Sequence, residues 1–148
     1  MIYFEDCTVG KQWQGNSFEL IEADIIEFAK KWDPQPFHAD KELAKESYYG
    51  GITAPSAYLF AIASKLFNEI DEYAGIGSVQ SEFKIPQPAR AGEQLTFTLS
   101  CVESRVSETK PDRAVVTFGL TLTTTKGVVV FDGRSVVIMH VGLKPLND

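Results

Sequence analysis

The sequence predicts an α+β fold in which a long central helix is wrapped by an antiparallel β-sheet. Three observations carry this prediction. Apolar residues recur at helical spacing in the first half of the chain and at period two in the second half. No strand–helix–strand alternation is present, which argues against a parallel sheet. The helix beginning near Ser56 is apolar nearly all round, a pattern that places it inside other structure. At 148 residues the chain is expected to form one domain over 1–148.

Residues 1–20 read as irregular or short-stranded, because Gly10, Gly15 and Asn16 interrupt the apolar pattern. Ile21, Ile25, Phe28, Ala29 and Trp32 then mark one face of an amphipathic helix over roughly Glu22–Trp32, stopped by Pro34. Asp40 is a natural N-cap for a short helix reaching about Glu46. Tyr48-Tyr-Gly-Gly reads as a loop. In the helix from Ser56, Leu59, Ile62, Ala63, Leu66, Phe67 and Ile70 recur at helical spacing. Period-two strands rich in β-branched residues follow around Leu95–Cys101, around Ala114–Leu122 and around Val136–His140, with a further strand at Gly77–Ile85. Arg90-Ala-Gly-Glu, Lys110-Pro-Asp-Arg, Thr125-Lys-Gly and Asp132-Gly supply the expected turns or bulges between them.

Composition narrows the function classes. The net charge is −6, and the whole negative excess precedes residue 73. No basic cluster with interleaved aromatics exists, so the chain is not expected to bind nucleic acid, which rests on phosphate neutralisation. The longest apolar run, Ala57–Ala63, falls far short of the ~20 residues that span a bilayer. No secretory signal pattern is visible, and no membrane association is expected. Cys7 and Cys101 have no CxxC spacing, and reduced cysteines fit a cytoplasmic protein. His38 and His140 are too far apart in sequence for a zinc pattern, so no metal is expected.

The segment Asp33-Pro34-Gln35-Pro36-Phe37-His38 carries the chemical signal. On a continuous helix, residues five apart point about 140° apart, so Asp33 and His38 would not share a face. Two prolines forbid that helix and stiffen the backbone. If the segment curls, a carboxylate and an imidazole face one small molecule, an arrangement suited to moving the protons of a water. The competing reading is ordinary: Asp33 ends a helix and His38 packs beside Phe37.

The stretch Phe28-Ala-Lys-Lys-Trp-Asp-Pro-Gln-Pro-Phe-His-Ala-Asp, with Ala44 and Tyr49-Gly-Gly-Ile, resembles the MaoC-like acyl dehydratases and (R)-specific enoyl-CoA hydratases. Phe83-Lys-Ile-Pro and Ala91-Gly-Glu-Gln-Leu resemble the same family. The resemblance implies a hot dog fold, a homodimer, and an acyl-CoA or acyl-carrier thioester as substrate. It implies reversible addition of water to a trans-2-enoyl thioester, with Asp33 and His38 catalytic and no cofactor required. Gly51, Tyr58 and Lys84 are the expected substrate contacts, with Lys84, Arg90 and Arg105 the basic residues considered for the phosphates of CoA.

One departure is plain. The family usually carries a His-Gly or Ser-Gly pair where the central helix begins, and this chain has Ala54-Pro55-Ser56-Ala57. Proline has no N–H to offer a thioester carbonyl. The backbone N–H groups of Ser56 and Ala57 are then the expected carbonyl-binding pair. Two alternatives follow. A non-catalytic acyl-thioester-binding subunit is suggested by the Pro55-Ser56 replacement. A hot dog thioesterase is opposed by the central helix, which holds one acidic residue, Glu69, near its far end.

Overall fold

A computed structural model describes residues 1–146. A 3-10 turn at Phe4–Asp6 leads into strand β1 (Gln12–Glu19), helices α1 (Glu22–Trp32), α2 (Pro36–Ala39) and α3 (Lys41–Glu46), and the long helix α4 (Ser56–Ile70). Strands β2 (Gly75–Lys84), β3 (Gln94–Val106), β4 (Arg113–Thr124) and β5 (Val129–His140) complete the chain. The five strands form one antiparallel sheet in the order β1-β3-β4-β5-β2. The mixed helical and antiparallel reading of the sequence is therefore the observed architecture.

The core lies between α4 and one face of the sheet. Leu59, Ile62, Ala63 and Leu66 of α4 are buried against Leu95, Phe97 and Leu99 of β3 and Val116, Phe118, Leu120 and Leu122 of β4. Along β3 and β4 the alternation of small polar and large apolar residues puts one set inside and the other outside, as period-two geometry requires. Burial of α4 is one-sided. Ala57, Ala61, Ser64 and Lys65 are exposed in the single chain, so the expectation of a helix enclosed all round is corrected.

Of the two readings of residues 1–20, the stranded one holds over 12–19, which form an edge strand with a register shift between Gln14 and Ser17. Gly15 occupies that shift because the Phe97 ring leaves no room: a Cβ there would stand 2.6 Å from it. Asp132-Gly133-Arg134 is not a turn. It runs through the middle of β5, paired on one side with Leu120 and its neighbours and on the other with Glu82, Phe83 and Lys84. Turn chemistry misleads here because Gly133 serves packing, its missing Cβ accommodating the Phe131 ring at 2.7 Å. The true β4–β5 turn uses Gly127, whose φ of +78° favours glycine.

Cys7 and Cys101 are both buried free thiols. Burial pushes the Cys7 thiol up to about 12 from its ordinary 9.0, with the Cys101 sulfur adding to the effect.

Two outcomes follow from this core. Leu59→Ala should destabilise the protein by about 2–5 kcal/mol in a urea titration, the usual effect of a cavity in a packed core. The Cys7 shift sets an alkaline limit. Above pH 9.0 the unfolded thiol loses its proton while folded Cys7 holds it to about 12, so stability is full below that window and falls through it. Urea midpoints should decline across the window, and Cys7→Ala should flatten the decline.

Candidate active site

The catalytic candidates come together because three short elements end at one place. Helix α1 stops at Asp33, whose N–H still donates to the Ala29 carbonyl at 2.9 Å. Pro34 forbids another turn. Pro36 then occupies the first position of α2, where its missing N–H removes nothing. The curl expected from the sequence is thus a single helical turn, closed by His38 and Ala39 N–H groups on the Gln35 carbonyl. Asp40 caps the next helix, its Oδ1 accepting from the N–H groups of Glu42 and Leu43 at 3.0 and 2.9 Å. The cap expected at Asp40 is present.

His38 is buried, and its ring is fixed from behind. Nδ1 lies 2.6 Å from the carbonyl oxygen of Thr53 and 3.3 Å from the Thr53 hydroxyl. A carbonyl only accepts, so Nδ1–H is the donor, and in the neutral ring Nε2 presents its lone pair. Nε2 stands 3.9 Å from Asp33 Oδ2. That separation exceeds a direct hydrogen bond and lets one water oxygen sit about 2.8 Å from both atoms. The other carboxylate oxygen, Oδ1, accepts from Gln35 Nε2 at 2.9 Å, so Asp33 turns Oδ2 toward the ring.

Thr53 is itself held. Its N–H donates to the Phe37 carbonyl, the Ala54 N–H to Ala89 and the Ala91 N–H to Ile52, pinning residues 52–54 between α2 and the segment after β2. Next comes Pro55, the N-cap of α4, whose carbonyl accepts from Tyr58 and Leu59. Ser56 and Ala57 supply the first two N–H groups of α4, which have no carbonyl one turn back to meet. These donors sit at the positive end of a 15-residue helix.

The resulting cleft has a volume of about 320 Å³. Asp33, His38, Thr53 and Ser56 form its polar side, and Phe37, Tyr49, Ile85 and Pro88 its apolar wall. The structure therefore gathers Asp33, His38 and Ser56 of the sequence-derived set. Ala57 is exposed one residue along α4, and Gly51 is half-buried in the loop before it. Tyr58 stacks on Phe28 at 4.8 Å, outside the cleft lining, and desolvation raises its phenol pKa. Lys84 lies on a separate concavity with Glu82, Phe83, Asp132 and Arg134. Arg90 holds the rim by donating from Nη1 to the Tyr49 carbonyl.

Thr53 and Gln35 were not singled out from the sequence. Gln35, set between two prolines beside an acid, carried a weak signal. Thr53 carried none, because it acts through a backbone carbonyl that every residue owns. Among the described residues no three His, Cys, Asp or Glu side chains gather as a metal ligand set.

A family model described as "MaoC like domain" matches residues 6–124. The chain belongs to the MaoC-like family. It is similar to a MaoC-like dehydratase from Rhodospirillum rubrum at 31% identity, covering 99% of this chain and 100% of that one with a TM-score of 0.90. It is 29% identical to the Bacillus subtilis protein YdeM, described as uncharacterized, over 91% of this chain and 96% of that protein. An R-hydratase from Pseudomonas aeruginosa, PhaJ1, shares the fold at 21% identity, with 98% and 93% coverage and a TM-score of 0.72. The sheet laid along a central helix is the hot dog fold of these MaoC-like relatives, as the resemblance implied.

Because the Asp40 cap fixes where α2 ends and α3 begins, Asp40→Ala should cost about 1 kcal/mol of stability. Circular dichroism melting of the two proteins checks this.

Proposed function

We propose that this MaoC-like chain is an acyl-thioester hydratase that adds water reversibly to a trans-2-enoyl thioester, giving a 3-hydroxyacyl thioester. The observation that carries the proposal is the 3.9 Å gap between His38 Nε2 and Asp33 Oδ2, each group locked by a partner on its far side. A water held between them loses one proton to the pair as its oxygen bonds to the β-carbon. The pair returns a proton to the α-carbon. The carbon–carbon double bond becomes single, and neither residue is consumed, so the step calls for no cofactor.

Negative charge builds on the thioester oxygen during this step. The N–H groups of Ser56 and Ala57, at the start of α4, are the proposed donors to it. Pro55 supplies none, yet it leaves the next two N–H groups unengaged. Gly51, Tyr58 and Lys84 are retained as proposed substrate contacts, Lys84 for the phosphates of CoA or of a carrier's pantetheine arm. A homodimer is proposed through β2. This edge strand pairs with β5 alone and exposes Val79 and Ile76, so a second copy can extend the sheet along it. The two buried, unpaired cysteines support a reducing compartment such as the cytoplasm.

The test is the ultraviolet absorbance of a conjugated enoyl-CoA. Its decay without release of free thiol is the expected result. Decay with thiol release identifies a thioesterase, and binding with neither change identifies a non-catalytic acyl-thioester subunit. Asp33→Asn should keep the melting temperature near that of the parent and lower turnover by about 10²–10⁴-fold. Turnover near the parent's would refute the assignment.

A further inference from the structure

Thr53 presents two oxygens to one ring nitrogen. His38 Nδ1 lies 2.6 Å from the Thr53 carbonyl oxygen and 3.3 Å from its hydroxyl. Nδ1 carries a single hydrogen, and the carbonyl takes it, because a bare nitrogen at that distance would set its lone pair against the carbonyl's. The hydroxyl is left as a minor second acceptor, and its own hydrogen cannot go to Nδ1. Among the described residues the hydroxyl has no hydrogen-bond partner besides Nδ1. Thr53 is 2% exposed, yet it lines the cleft. A buried hydroxyl hydrogen without an acceptor is unfavourable, so this one is a donor for a guest in the cleft.

The hydroxyl is also held in place. The Thr53 N–H donates to the Phe37 carbonyl at 3.4 Å, and the Ala54 N–H to the Ala89 carbonyl at 2.8 Å. An isolated β-bridge joins Thr53 to Arg90. A backbone fixed on both sides sets the direction of Cβ, and a β-branched side chain has few rotamers left.

The chemistry of the guest follows from what the cleft already spends. A water between Asp33 and His38 sits at Nε2, on the other edge of the ring from Thr53, so the spare hydrogen does not serve it. An acyl thioester brings hydrocarbon, a weakly accepting sulfur and one strong acceptor beside the reacting carbons, its carbonyl oxygen. Ser56, three residues after Thr53, lines the same cleft. Pro55 between them has no N–H to donate. A side-chain donor at Thr53 adds a second hydrogen bond where the proline gives none.

We propose that the Thr53 hydroxyl donates a hydrogen bond to the thioester carbonyl oxygen, which makes Thr53 a substrate-binding residue as well as the support of His38. The inference rests on the acyl-thioester reading of the cleft for the identity of the guest. The carbonyl of Thr53 orients the base, and its hydroxyl meets the electrophile that the base serves.

Calorimetric binding of butyryl-CoA and S-butyl-CoA tests the proposal. The second probe is the thioether in which a CH₂ replaces the carbonyl. Both lack the double bond, so affinity is read without turnover. The parent should prefer butyryl-CoA. Thr53→Val and Thr53→Ala remove the hydroxyl and keep the backbone carbonyl. Each should cut that preference about tenfold by weakening butyryl-CoA while leaving S-butyl-CoA unchanged. Thr53→Ser keeps a hydroxyl and should retain the preference. Nitrogen NMR of His38 should show the same Nδ1–H tautomer in all four proteins. A parent without carbonyl preference, a preference that survives both Val and Ala, or an equal loss on both probes would overturn the proposal. So would a changed tautomer in Thr53→Val, which would make the hydroxyl a support of the ring. The hydratase reading fails separately. A carbonyl preference that falls with the hydroxyl, in a parent that leaves enoyl-CoA absorbance unchanged, overturns that reading alone. Hydration with a preference indifferent to the hydroxyl overturns the role of Thr53 alone, and a parent that binds neither probe overturns both.

Discussion

The structure depends on the burial of one stripe of α4 against the sheet. Leu59, Ile62, Ala63 and Leu66 have almost no exposed surface, and they meet residues from both central strands. The leucine and isoleucine side chains, each stabilised by roughly 1.5–3 kcal/mol on burial, set the helix in one rotation and one axial position. That position decides where the N–H groups of Ser56 and Ala57 lie. It also decides which flank of the sheet stays open, where a cavity of about 130 Å³ lies between α4 and β2.

The proposed chemistry is carried by a stretch outside the sheet. Residues 33–56 contain the acid, the imidazole, the carbonyl that orients the imidazole and the first free N–H of α4. Short-range rules position most of it: a proline that ends a helix, a proline that starts one, and an aspartate that caps the next. Hydrogen bonds between residues 52–54 and 89–91, and from Arg90 to the Tyr49 carbonyl, tie this stretch to distant chain. Such a layout separates the parts that give stability from the parts that give reactivity.

This separation explains what could be read from the sequence. Helix α1, the Asp40 cap, the start of α4 and the strand alternation of β3 and β4 follow from local spacing, and the structure shows each of them. Two prolines between Asp33 and His38 exclude the competing straight helix, and the family resemblance, not the spacing, singled the two out as a pair. Asp132-Gly133 was misread because a glycine needed for the Phe131 ring looks, in sequence, like a glycine needed for a turn. The open flank of α4 was hidden because hydrophobic periodicity reports which residues seek burial and not which partner covers them. Thr53 was hidden for a different reason, since its side-chain identity does not determine its carbonyl's role.

The backing of His38 by a carbonyl has a consequence for how the ring behaves across acidity. A carboxylate behind a histidine draws the imidazolium more strongly than the uncharged ring. A carbonyl asks only for a hydrogen on Nδ1, and that hydrogen is present in both forms. The ring therefore keeps one orientation whether or not Nε2 holds a proton. Geometry and charge are decoupled at this position, so the proposed protonation cycle calls for no rotation of the imidazole plane.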